Sequence, residues 1–200
     1  MSSITKKRVE ATIMFCDIMN FTTLFDDKDP EEAFVFANYV LKTLSNVVTK
    51  CGGTVDKFMG DGLLAHFGVN SPNSDHAMKA CYCSLKLLDE IWKINCNRYI
   101  LNQIIISLGI GIHSGEIVFG KIEAGTYNEF SVFGDVVNTA SRIERMTRFF
   151  SVDILVSQTT YDLCKNNLDF FKIGDTTLKG KKGKHTLFWL VPTNLIKNKL

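Results

Sequence analysis

The chain has 200 residues, 46% of them apolar, and a net charge of only +2. That length and apolar content suit one domain with a sizeable core, and the near-balance of charge argues against nucleic acid or a membrane surface as partner. No apolar run approaches the ~18–20 residues of a membrane span.

The opening MSSITKKRVE lacks the apolar stretch of a secretory signal, so a cytoplasmic setting is expected. Residues 1–8 read as a lead-in, 9–192 as one domain and 193–200 as a short tail. Val9–Asp17 is a mostly apolar run of strand length. Pro30-Glu31-Glu32 then opens a helix, with proline and acids in its first turn. Its apolar positions, from Ala33 to Val48, recur at helical spacing until the glycine stop at Cys51-Gly52-Gly53. Thr54–Met59 and Leu63–Phe67 flank Gly60-Asp61-Gly62, which reads as a β-hairpin. Asn73-Ser74-Asp75 is expected to cap a second long helix, and Ile104–Ile112 to form the next strand. The chain up to Ile112 thus reads β-α-β-β-α-β, an α+β, ferredoxin-like plan. Strands at Glu116–Ile122 and near Phe130–Phe133 follow, then a helix at about Val136–Phe149. A strand at Asp153–Val156, a short helix near Gln158–Lys165 and strands near Phe170–Ile173 and Leu187–Val191 complete the chain.

Six cysteines lie inside these periodic segments rather than in loops, which favours buried thiols over a disulfide framework. Cys81-x-Cys83 has no second ligand pair, so a zinc site is not expected. Gly115–Lys121 matches part of a P-loop, but Ile122 stands where a metal-binding hydroxyl is needed, and the intervening residues read as strand.

Four features carry possible chemistry. Asp17 ends the first strand and Asp61 sits in the hairpin turn; in this plan those strands are neighbours. Two adjacent carboxylates repel unless a cation lies between them, and oxygen donors suit Mg²⁺ or Mn²⁺. Singly, each is equally an ordinary strand-end or turn acid. After Asp17, the polar turn Met19–Thr22 enters a helical segment, where exposed backbone N–H groups can hold phosphate. Asn138 and Arg142 lie four apart, one turn along a helix face, and an amide beside a guanidinium can orient a sugar and neutralise a phosphoryl group. Lys179–His185 is a basic loop, readable as a solvated turn or as an anion clamp.

Together these segments resemble the class III adenylyl and guanylyl cyclases over about Val9 to Leu190. Four blocks carry the likeness: Phe15–Thr22 (FCDIMNFT), Val55–Gly62 (VDKFMGDG), Phe133–Arg142 (FGDVVNTASR) and Leu178–Lys181 (LKGK). The resemblance implies that Asp17 and Asp61, with the Ile18 carbonyl, hold two Mg²⁺ or Mn²⁺ ions per site. It implies that Lys57 reads adenine, that Asn138 and Arg142 orient the ribose and stabilise the transition state, and that Lys179 binds the triphosphate. Phe21 and Thr22 belong to the turn that would cradle phosphate. Many family members have Asp where this chain has Ser131; a branch with Thr there includes bicarbonate-responsive and light-regulated cyclases. The Ser131 hydroxyl can accept from adenine's amino group or donate to guanine's carbonyl. Lys57 donates to ring nitrogen 1, which is unprotonated in adenine alone, so ATP is the expected substrate and adenylate cyclase the expected activity. In the family, metal aspartates of one subunit meet the lysine, asparagine and arginine of the other. A homodimer with two shared sites is therefore implied, and a regulatory or sensor domain, or a membrane anchor, in a longer chain would be compatible. A guanylate cyclase, or an inert cyclase-like nucleotide-binding domain, is the alternative.

Overall fold

The computed structural model describes residues 6–70 and 75–192. The expected tail, most of the lead-in, and the expected caps Asn73 and Ser74 lie outside the described residues.

The elements are β1 (Lys6–Ile18), α1 (Phe21–Phe25), α2 (Pro30–Lys50), β2 (Thr54–Met59), β3 (Gly62–Phe67), α3 (His76–Ile100), β4 (Leu108–Ala124), β5 (Tyr127–Phe133), α4 (Asp135–Phe150), β6 (Ile154–Ser157), α5 (Gln158–Cys164), β7 (Phe170–Thr176) and β8 (His185–Leu190). They form one sheet of order β2-β3-β1-β4-β6-β8-β7, with β5 paired to the far end of β4. The first four strands are antiparallel in the order β2-β3-β1-β4, so the ferredoxin-like core expected from the sequence is present. Among the described residues, no helix is long and apolar enough to cross a membrane.

Strand alternation decides what each face packs against. Met14, Cys16 and Ile18 of β1 meet Val40, Leu44 and Val48 of α2 and the apolar stripe of α3. The other face carries Ala11 and Ile13, which pack with Leu64, Val132, Val136 and Ala140 beneath α4. Helix α4 lies unusually close to β4. A Cβ on Gly111 would stand 2.2 Å from the Glu144 backbone nitrogen and 2.5 Å from the Ala140 carbonyl oxygen. Only a residue without a side chain allows that approach.

Two sequence expectations need correcting. The strands placed at Ile104–Ile112 and Glu116–Ile122 are one continuous β4, which starts only at Leu108. Ile104 and Ile105 are exposed, at 62% and 60%. Side chains of α3 take up the backbone there: Asn95 exchanges two hydrogen bonds with Ile106, and Arg98 Nε donates to the Ile104 carbonyl at 2.6 Å. All six cysteines are free; Cys16, Cys81, Cys83 and Cys164 are buried as expected, whereas Cys51 and Cys96 are half-buried.

Candidate active site

Asp17 lies one residue from the end of β1, opposite Gly62 of β3 on one side and Gly109 of β4 on the other. A Cβ on Gly62 would sit 2.8 Å from Asp17 Oδ1, so glycine leaves room for the carboxylate. By alternation Asp17 shares the α4 face with Ala11, Ile13 and Phe15. Asp61 occupies the two-residue turn between β2 and β3, made tight by Gly60 at φ 65°. Burial pushes the Asp61 carboxyl above its usual pKa, and the adjacent Asp17 charge pushes it further. The pair predicted from the sequence is thus brought together.

Helix α4 supplies charges that the sequence reading passed over. Arg148 Nη2 pairs with Asp17 Oδ2 at 2.6 Å, and Arg148 also pairs with Glu144 one turn earlier. Burial raises the Glu144 pKa, and Arg148 partly offsets the rise. The two aspartates, Glu144 and Arg148 line a pocket of about 350 Å³ with Ser141 and Arg145. The i, i+4 spacing of Glu144 and Arg148 was the available signal.

A second cluster lies on the same face. Lys57 stands opposite Leu64, which packs under α4. A bulge between Val55 and Lys57 accommodates Asp56 as an extra residue, and bulges re-aim side chains. Asp56 is buried, its side chain 1% exposed. Its carboxylate accepts from the Ser131 hydroxyl at 2.8 Å and the Val132 backbone N–H at 3.2 Å. It also lies 3.4 Å from Lys57 Nζ, which reaches Glu129 at 3.4 Å as well. Lys57 and Ser131 are therefore linked through one carboxylate that the sequence reading missed. Its signal was an Asp-Lys pair that interrupts the alternation of a strand. Ser131 was expected to be free to accept or donate. It already donates to Asp56, so only its lone pairs remain for another partner.

The other predicted residues stand apart from both clusters. Asn138 is exposed on α4, and Arg142 lies against Gly180 of the basic loop, with a Cβ on Gly180 3.3 Å from Arg142 Nη2. Lys179 is exposed, while its neighbour Lys181 pairs with Asp135 and holds that carboxyl below its usual pKa. Neither Asn138 nor Arg142 lines the Asp17–Asp61 pocket. Asn20 adopts a left-handed conformation (φ 58°) that turns the chain from β1 into α1. Phe21 is half-buried, its ring 4.7 Å from that of Phe25 and packed against the core; Thr22 is exposed.

The donor set suits a hard divalent cation. Two facing carboxylates at a strand end offer anionic oxygen, and a cation between them would relieve the repulsion that raises Asp61. Among the described residues no group of three or more His, Cys, Asp or Glu side chains could hold a metal, so phosphate oxygens or water would complete the shell.

The family model for the adenylate and guanylate cyclase catalytic domain matches residues 4–192. Adenylate cyclase 1 of Rhizobium meliloti (strain 1021) is 30% identical over 174 residues, 87% of this chain and 26% of the relative. The adenylate cyclase of Anabaena cylindrica is 35% identical over 152 residues, 74% of this chain and 29% of the relative. The chain thus spans less than a third of the length of these curated relatives. Receptor-type guanylate cyclase gcy-28 of Caenorhabditis elegans is 31% identical over 182 residues, 90% of this chain and 14% of the relative. The crystal structure of the adenylyl cyclase CyaB from P. aeruginosa is similar at TM-score 0.85 and 27% identity, covering 94% of this chain and 96% of that one.

Proposed function

This chain belongs to the adenylate and guanylate cyclase catalytic-domain family, and on that premise we propose that it converts ATP to 3′,5′-cyclic AMP and pyrophosphate at two sites shared by a homodimer. The observation that carries the choice of ATP is the second cluster. Lys57 presents a donor and Ser131 an acceptor, bridged by Asp56. Adenine offers an acceptor at ring nitrogen 1 and a donor at its amino group. Guanine offers a donor and a carbonyl at those positions, so both contacts would be mismatched. An unpaired buried polar group costs roughly 1–3 kcal/mol, about 5- to 150-fold in selectivity. Guanylate cyclases match the chain at comparable identity, so the preference rests on these residues rather than on overall likeness.

In the reaction the ribose 3′-hydroxyl gives up its proton to solvent as its oxygen attacks the α-phosphorus in line, the bond from that phosphorus to the α–β bridging oxygen breaks, and pyrophosphate leaves. Asp17 and Asp61, with the Ile18 carbonyl, would hold two Mg²⁺ or Mn²⁺ ions. When bound, such ions supply charge neutralisation on the triphosphate and acidify the attacking hydroxyl. Arg142 donates to the phosphoryl oxygens as charge develops on them. Asn138 orients the ribose, and Lys179 and the backbone of Phe21 and Thr22 hold the phosphates. The separation of Arg142 and Asn138 from the Asp17–Asp61 pocket within one chain supports a site completed by a second copy.

Two experiments test this. The purified domain should make cyclic AMP from ATP, and far less cyclic GMP from GTP, with Mg²⁺ or Mn²⁺. Asp17→Asn and Arg142→Ala should each be inactive alone, yet regain about a quarter of wild-type activity when mixed. Half the dimers then carry one intact site of two, for independent sites and free exchange. Heterodimers that stay inactive would refute the shared site, and GTP turnover equal to ATP turnover would refute the base assignment.

A further inference from the structure

We propose that Asp56 is a specificity-positioning residue: by accepting the Ser131 hydroxyl's hydrogen bond it leaves that oxygen to act as an acceptor, and so selects adenine over guanine. This rests on the ATP assignment above and deepens it. A serine hydroxyl alone is ambiguous, with one donor and two lone pairs that rotate to suit either partner. An ionised carboxylate only accepts, so the 2.8 Å contact to Asp56 can be made only with the Ser131 hydrogen pointing at Asp56 Oδ2. The same carboxylate is itself held. Its Oδ1 accepts from the Val132 backbone N–H at 3.2 Å, and the Lys57 ammonium lies 3.4 Å from Oδ2. Asp56 does not touch the base in this scheme; it acts through Ser131. Ser131 is 2% exposed, so a base edge that reaches it meets a desolvated acceptor, where a mismatched guanine carbonyl is costly.

The structure also says what an amide would do in its place. In Asp56→Asn the Val132 N–H needs an oxygen opposite it, which keeps Oδ1 in place and puts the NH₂ group where Oδ2 was. That NH₂ would donate to Ser131 while Lys57, 3.4 Å from the same position, turns to Glu129, and the Ser131 hydrogen would be free to donate to a guanine carbonyl. The substitution is isosteric, yet it reverses the hydrogen-bond sense of the next residue.

The test compares kcat/KM for ATP and GTP, with Mn²⁺, in wild type, Asp56→Asn, Ser131→Ala, Ser131→Thr and the double variant Asp56→Asn with Ser131→Ala. Thermal melts and calorimetric binding of non-cyclisable ATP and GTP analogues are measured on the same proteins. Asp56→Asn should lower the ATP-to-GTP ratio about 10-fold or more, in turnover or in analogue binding. Ser131→Thr keeps a hydroxyl and should keep the wild-type ratio. In the Ser131→Ala background Asp56→Asn should leave the ratio unchanged, because the group it acts through is gone. A folded Asp56→Asn protein with the wild-type ratio overturns the proposal. So does an equal shift in the Ser131→Ala background, which would assign the effect to Lys57. Failure of the underlying function looks different: the wild-type domain makes no cyclic nucleotide and binds neither analogue, and the proposal falls with it.

Discussion

Gly111→Ala should separate the seating of α4 from everything else in the fold. An ideal Cβ at Gly111 would lie 2.2 Å from the Glu144 nitrogen, 2.5 Å from the Ala140 oxygen and 2.6 Å from Glu144 Cα. Carbon atoms in contact rest about 3.5–4.0 Å apart, so α4 would have to retreat from β4 by roughly 1 Å. The obstructing atoms are backbone and cannot rotate away. Overpacking of this kind costs about 1–3 kcal/mol, which for a domain of this size lowers the melting temperature by roughly 3–10 °C. The same shift moves Asn138 and Arg142, and a misplacement near 1 Å can cost about 10²-fold in rate. Gly115→Ala on the same strand is the control, since its Cβ meets only a Val136 methyl at 3.0 Å. Thermal unfolding followed by circular dichroism, and cyclic AMP production by chromatography, read both effects. A Gly111→Ala protein that melts within a degree of wild type and keeps its activity would refute the idea that this contact places the helix.

Further substitutions probe the two clusters and a buried histidine. Asp17→Asn or Asp61→Asn should lower turnover by at least about 100-fold while the far-ultraviolet spectrum is unchanged, since each removes a charged oxygen donor to the cation. Lys57→Glu should depress ATP use more than GTP use; because it places a third carboxylate beside Asp56 and Glu129, Lys57→Met is the cleaner variant, and its kcat/KM for ATP should fall toward that for GTP. Burial, aided by the Lys181 charge, holds the His113 pKa at about 4, below the 6.5 of an unfolded histidine. The unfolded chain therefore binds the proton first, and stability is lost as pH falls from about 6.5 toward 4. At pH 5 that loss is about 2 kcal/mol, and His113→Asn should melt with a correspondingly flatter pH dependence than wild type.

Much of this was legible in the sequence, and the exceptions have physical causes. Helix α2 announced itself by Pro30, the acids after it and the glycines that end it, and the β2–β3 hairpin by Gly60-Asp61. The segment before β4 misled because Ile104, Ile105 and Ile106 look like strand. Backbone groups of Ile104 and Ile106 instead bond to Arg98 and Asn95, side chains of the preceding helix, and no local pattern encodes that. The break expected at His113–Gly115 also failed: β1 pairs with β4 straight through those residues, so the partner strand overrides weak local propensity. Asp17 and Asp61 could be found because topology alone brings their strands together. Asp56 left only the interrupted alternation as a signal, because its place depends on a bulge and on β5 folding back to bring Ser131 to it.

Helix geometry explains why one chain holds both halves of the proposed machinery without joining them. Each residue of an α-helix turns the chain by about 100°. With Asn138 taken as the origin, Arg142 therefore lies at about 40° around the axis of α4. On the same wheel Glu144 falls at about 240° and Arg148 at about 280°. Those two are on the flank that faces Asp17 and Asp61. Between the two flanks lie Val136, Ala140, Ile143 and Thr147, all buried. Arg142 is about 60° around the axis from Arg145, the nearest residue on the wheel that lines that pocket, and about 9 Å along it from Arg148, the partner of Asp17. Rotating the helix to close that gap would disturb the buried stripe and the seat at Gly111. Arg142 instead lies against Gly180, and Asp17 is neutralised by Arg148. The proposed site takes its arginine for the aspartate pair from another copy, so mixing two inactive variants tests it more sharply than any single substitution.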